Sequence, residues 1–243
     1  MSVALLDTTG TANAWQAGGQ SSPVLYTSGV NNNNTSVNIS GGATACFLSA
    51  FFSGLTTPGT ITASWSGPGT PSLTQIGSTL VGAGSSMAVF GIVNPPAQTG
   101  GTFTVSWTGG ASRICIAHVT LTGTVTSSVA AAFANVTTTN TGTAGAPSVS
   151  VTTAAGDGAI MIGADDSNNA TGMTAGGSAT LLYSGTAGRA SGSEFLPASA
   201  GSTAMSMGWA ASTSTAALVL GFDIVQSGAI VPPPIVAAKL VMM

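Results

Sequence analysis

The chain has 243 residues, enough for one large or two small domains with a real hydrophobic core. Only 4% of its residues are charged, three basic (Arg113, Arg189, Lys239) and six acidic (Asp7, Asp157, Asp165, Asp166, Glu194, Asp223), against about 25% in an ordinary soluble domain. Its basic residues are too few and too scattered to neutralise phosphates, which excludes a nucleic-acid partner. No apolar run reaches the roughly 18 to 20 residues of a membrane-spanning helix.

With so few ions, the surface must be built from Ser, Thr, Asn, Gly and Ala, and a monomer lacking charge repulsion is prone to associate. The N-terminal MSVALLDTTG has neither a basic region nor a long apolar stretch, so no secretory signal is expected there. Residues 1–35 read as an N-terminal extension with the first strands, and Asn31 to Asn34 as a loop. Strand patterns then recur at Ser36–Ile39, Ala43–Phe52, Thr60–Trp65, Leu73–Val81, Met87–Val93, Thr102–Trp107 and Arg113–Leu121. Each is bounded by Gly, Pro, Asn or Ser, and several alternate apolar with polar residues, as half-buried strands do. Helical periodicity is nearly absent. Ser127–Ala134 has good helix propensity but is short and runs into a β-branched tract.

The pattern then repeats. Ser36–Ile39 and the run Cys46–Phe52 are matched by Ser148–Val151, a turn at Gly156-Asp157-Gly158, and the run Ala159–Ala164. Pro95-Pro96 and the strand ending at Trp107 are matched by Pro197 and the strand ending at Trp209. Each half closes on an apolar strand, Ile114–Leu121 and Ala216–Val225. The predicted fold is all-β, with two tandem related β-sandwich (jelly-roll-like) units at 36–136 and 137–228, the second opening on a linker from about Thr137 to Ala146.

Residues 229–243 form a Pro-rich C-terminal arm. Pro232, Pro233 and Pro234 hold it extended and cannot donate to a sheet ladder, and the end from Leu240 to Met243 is apolar. The arm is expected to serve assembly, by docking on a neighbouring subunit or adding a strand to an exposed sheet edge; the alternative is a disordered end or a strand folded back on its own domain.

Side chains suited to chemistry are sparse. His118 is the single histidine, placed on one face with Ile114 and Ile116, and no Gly-x-Ser-x-Gly elbow accompanies it. One His and two distant cysteines give no zinc-ligand spacing. Asp165-Asp166 is the only adjacent acid pair; it lacks calcium-loop spacing and reads as a solvated turn. No catalytic residue, metal ligand or cofactor is therefore assigned. Cys46 and Cys115 sit in strand-like runs, and whether they pair stays open. Trp107 and Trp209 take equivalent places in the two halves and read as packing residues. Trp15 and Trp65, near Gly-rich turns, are the candidates for an exposed binding surface.

Met87 to Ala97 (MAVFGIVNPPA), the strand Gly101–Trp107 and the segment Ala117–Gly123 carry a resemblance. They look like an uncharacterised bacterial and phage β-sandwich module with an Asn-Pro-Pro-Ala turn motif, which Ser148–Ile162 resembles in its second half. The similarity covers roughly residues 36 to 226. Gln98 stands where the module usually has Gly, and the second half keeps only Pro197 at the turn. The resemblance implies no catalytic residues. Its members occur in secreted, surface and virion proteins.

Together these readings lead to the expectation of a non-enzymatic bacteriophage virion structural protein: a capsid decoration, head-fibre or tail-associated subunit. Its partners would be copies of itself and other virion proteins such as the major capsid protein. The alternative is a secreted or cell-surface adhesin module binding host-surface glycan; a hydrolase with an accessory β module is a third.

Overall fold

The computed structural model describes residues 3–6, 16–17, 30–69, 72–111, 113–141, 147–166, 172–186, 190–197, 201–209 and 216–228. The protein is all-β, as its alternating and continuous apolar runs dictate. The first half contributes β1 (Ala4–Leu5), β2 (Gln16–Ala17), β3 (Val30–Ile39), β4 (Ala45–Ser53) and β5 (Ile61–Ser66). These are followed by β6 (Thr74–Gln75), β7 (Leu80–Val81), β8 (Ser85–Val93), β9 (Gln98–Thr108) and β10 (Arg113–Thr122). One helical turn, α1 (Val129–Ala132), is capped by the Ser128 hydroxyl, which accepts the Ala131 N–H at 3.1 Å. The second half contributes β11 (Phe133–Thr141), β12 (Ser148–Thr153), β13 (Gly158–Asp165), β14 (Met173–Thr174) and β15 (Thr180–Thr186). It ends with β16 (Ala190–Pro197), β17 (Gly201–Ser206), β18 (Gly208–Trp209) and β19 (Ala217–Ile224).

The strands form two central sheets and two outer layers. One central sheet runs β1-β10-β4-β8-β6, with β2 on β10 and β7 on β8; the other runs β11-β19-β13-β16-β15. Outside the first lies β3-β9-β5, and outside the second lie the pairs β12-β17 and β14-β18. Every pairing is antiparallel. The order β10-β4-β8 in the first half recurs as β19-β13-β16 in the second. Likewise β3-β9 recurs as β12-β17, so the internal sequence repeat is also a repeat of topology.

Each layer's burial follows from its sequence. β4 (ACFLSAFFS), β13 (GAIMIGAD) and β19 (ALVLGFDI) are buried along their whole length because both faces of a central sheet are covered. β9, β12 and β17 alternate, turning one face inward and one outward. Three cores result. Phe52, Phe103, Trp107 and Ile114 fill the space between the first central sheet and its outer layer. Met161, Met173, Met205 and Met207 do the same in the second half. The largest core lies between the two central sheets, where Phe47 meets Phe133 and Phe222 edge-on, with ring centroids 6.4 and 5.5 Å away. Each such buried Phe contributes about 1.5–3 kcal/mol of transfer free energy.

Several sequence expectations are revised. The predicted linker begins inside β11, whose residues Thr137 to Thr141 pair with β19. The predicted strand 73–81 is two short strands, because Gly77 turns the chain at φ +68° and a Cβ there would come within 2.8 Å of Val136. Asn31 to Asn34 belong to β3 and pair with Trp107 to Thr104 of β9. The position equivalent to Trp107 is Met207, the next inward residue after Met205, whereas Trp209 lies further on in β18.

Candidate functional site

Trp65 is not an exposed platform. It is only 6% exposed and packs edge-on against Phe103, centroids 4.6 Å apart, because β5 turns Ile61 and Trp65 inward while Thr62, Ser64 and Ser66 face out. Its indole Nε1 is buried without a hydrogen-bond partner among the described residues. An indole ring buried to this extent cannot also stack on a sugar. Trp15, Pro232, Pro233, Pro234, Leu240 and Met243 lie outside the described residues.

His118 is buried beside Phe103, ring centroids 6.2 Å apart, on the face it shares with Ile114 and Ile116. Cys46 and Cys115 are buried thiols on opposite faces of one sheet. Cys46 belongs to the core under the first outer layer and Cys115 to the core between the central sheets, so no disulfide joins them.

The acids are where the sequence reading departs most from the structure. Asp165-Asp166 is not a solvated turn: Asp165 is fully buried and Asp166 nearly so. The Asp166 carboxylate accepts the N–H groups of Ala83 and Gly84 at 2.7 and 2.9 Å and the Ser85 hydroxyl at 2.6 Å, holding the second half to the turn before β8. A Ser49–Tyr183 hydroxyl contact of 2.5 Å also joins the halves, and burial pushes the Tyr183 phenol well above its ordinary range.

Two further acid sites join residues distant in sequence. Asp157 accepts the Ala154 N–H at 3.1 Å and the Gln226 N–H at 2.8 Å. It also hydrogen-bonds Asp223; burial first, then the neighbouring Asp157 charge, push the Asp223 carboxyl up to about 7. Glu194 lies in β16 facing the methionine core. Its Oε2 accepts the Gly176 N–H at 2.8 Å, the Ser206 N–H also donates to it, and desolvation raises its pKa. Its Oε1 meets no donor among the described residues. The sequence signals for these sites are faint: an Asp in a Gly-Asp-Gly turn, and single acids inside apolar strands.

All five described acids are therefore buried, and no charged side chain is exposed among those whose burial is described. The outer faces carry hydroxyls instead. Thr62, Ser64 and Ser66 of β5 pair with Ser106, Thr104 and Thr102 of β9, and Ser148 and Thr152 of β12 pair with Ser206 and Ser202 of β17. Two shallow clefts are also uncharged, one lined by Thr139, Ser148, Ser150 and Ser206, the other by Asn38, Ser40, Gln98 and Thr99. No group of three or more potential metal ligands occurs among the described residues, and no described helix is long and apolar enough to cross a membrane. What this arrangement offers chemically is broad, neutral, hydrogen-bonding surface on both outer layers. Comparison with protein-family models, curated proteins and solved structures gives no match to this chain.

Proposed function

We propose that the protein is a non-enzymatic structural subunit of a bacteriophage virion, a capsid decoration, head-fibre or tail-associated protein that works in many copies. The observation that carries this reading is the placement of charge. Every described acid is spent inside the fold, leaving neutral Ser/Thr faces with no repulsion to hold copies apart. Such faces suit packing against neighbours, since interface centres are depleted of charge. The resemblance of the 87–123 segment to a module of phage and surface proteins supports the same setting. Residues 229–243 would be the assembly arm, and the major capsid protein a partner.

Sedimentation analysis of the full chain across a concentration series tests this. A discrete oligomer is the expected result, and co-sedimentation with capsid shells would place it on the particle. A species that stays monomeric at high concentration overturns the reading. The glycan-binding adhesin is the second reading. It draws on the hydroxyl faces, since Trp65 is unavailable, and specific glycan-array binding by the monomer would favour it.

A further inference from the structure

The two outer layers differ by a strand. In the first half β9 is flanked on both sides, by β3 and by the six-residue β5. In the second half β17 is flanked by β12 alone among the described residues, and the counterpart of β5 is β14, two residues that pair with β18 beyond the end of β17. Among the described residues, the edge of β17 that would receive a third strand is closed only at Ser206. There Glu194 takes the Ser206 N–H, and Gly176 approaches so closely that a Cβ on it would collide with the Ser206 carbonyl oxygen. In an antiparallel ladder, alternate residues turn both backbone groups to the same side. Ser202 and Ala204 therefore direct their N–H and C=O outward with Ser206, and neither meets a strand among the described residues. Beneath this edge Leu181, paired with Glu194 on the same face of the central sheet, is 38% exposed. In the first half, that region is roofed by the inward side chains of β5, Ile61 and Trp65.

We propose that the outer edge of β17 is an acceptor slot for a β-strand, and that its occupant is Ile235–Met243 of a neighbouring copy of this chain. The proposal rests on the reading of residues 229–243 as an assembly arm. The donor sequence fits a strand that is buried on one face. Val236, Ala238, Leu240 and Met242 alternate as an all-apolar set, suited to cover Leu181, while Lys239 falls on the opposite, outward set. Its nine residues exceed the stretch from Gly201 to Met205 that Glu194 and Gly176 leave open. Donation between copies follows from direction. The described chain ends at Gly228, just after Gln226, which bonds Asp157 and Ala155 in the turn that follows β12. Thr153, the last residue of β12, pairs with Gly201, the first of β17. An antiparallel strand must enter from the opposite, Ser206 end, and Pro232 to Pro234 stiffen the chain against the reversal its own copy would need.

The test compares the full chain with one ending at Pro234. The full chain should sediment as an oligomer, and the shortened one as a monomer with unchanged β circular dichroism. A synthetic Ile235–Met243 peptide should bind the shortened chain. Ala204→Pro, which removes an outward N–H that β12 does not use, should weaken that binding about tenfold. In the full chain, Ala204→Cys combined in turn with Ala237→Cys, Lys239→Cys or Val241→Cys should oxidise to crosslinked dimers, whereas Ala238→Cys and Leu240→Cys should not. An oligomer whose mass survives the truncation overturns the donated strand while leaving the assembly reading standing. A full chain that is monomeric overturns both, and crosslinks confined within one chain overturn exchange between copies.

Discussion

The outer layer of the first half and that of the second are built on one strand order and stabilised in different ways. Over β3-β9-β5 the core is aromatic: Phe52 meets Trp107 at 5.2 Å and Trp65 meets Phe103 at 4.6 Å between centroids. Over β12-β17 it is sulfur-rich, with Met161, Met173, Met205 and Met207, and where the described residues supply no third strand a buried carboxylate caps the edge at one point. Large flat rings need a complete roof to be covered, whereas methionine adapts to irregular space and tolerates an open edge. Among the described residues the first half thus has a closed outer layer and the second an open-edged one.

Truncating the equivalent inward residues gives the largest separation. Trp107→Ala is expected to cost about 3–5 kcal/mol in urea unfolding, since a buried ring against Phe52 leaves a cavity that sheet strands cannot close. Met207→Ala should cost about 2 kcal/mol, the low end for a long apolar side chain, because neighbouring methionines can shift into the space. Equal losses would break the contrast between a rigid and an adaptable core.

Glu194 sharpens it at a smaller scale. Glu194→Leu would give the second half an apolar residue like Ala88, Phe90 and Ile92, the buried apolar residues of β8 that face the first outer layer, but would strand the N–H groups of Gly176 and Ser206. A loss of about 1–3 kcal/mol is expected at pH 5. Glu194→Gln keeps an acceptor and removes the titration. Because burial raises the Glu194 pKa, the wild-type protein loses stability as pH rises through it, and the Gln variant should lose less. A thermal midpoint that is equally pH-dependent in both would detach Glu194 from this role.

The legible parts of the fold were those where one period governs a whole strand. The continuous runs Cys46–Phe52 and Ala159–Ala164 and the alternation Thr102–Trp107 each found their place, and so did the repeat that aligns β4 with β13. β16 escaped because its buried residues are Ser191, Gly192, Ser193 and Glu194 as well as Phe195, a composition that signals a turn until cross-strand partners make it a sheet interior. Trp65 was misjudged because it ends a strand beside Gly-rich turns, which suggested an exposed edge, whereas burial follows the alternation of β5. The acid sites were illegible for a different reason. Asp166 finds its partners at Ala83, Gly84 and Ser85 of the other half, and Asp157 at Asp223 and Gln226, nearly seventy residues further along its own half, contacts that exist only once strands distant in sequence are folded together.

The smallest expected effect separates the joints where each half closes. In the first half Thr44, the residue before β4, accepts the Thr124 N–H at 3.0 Å on its hydroxyl, receiving the chain as it leaves β10. Asp157, the residue before β13, does the same for the Gln226 N–H at 2.8 Å as the chain leaves β19, and Thr124 and Gln226 bridge to each other. One joint is neutral and the other is a pair of acids, so pH should act on the second alone. The Asp223 carboxyl, raised from 3.8 to about 7, is protonated in the fold where the unfolded chain would have ionised it. Its contribution is complete below about pH 4 and is lost as pH rises toward 7, where Asp223 ionises beside Asp157. The thermal midpoint of the wild-type protein should accordingly fall by a few degrees between pH 4 and pH 8. Asp223→Asn removes the second acid and should flatten that slope, while Thr44→Val should lower the midpoint by a similar amount at every pH. A slope as steep in Asp223→Asn as in the wild-type protein would place the titration wholly elsewhere, at Glu194 for instance, and leave the two joints alike.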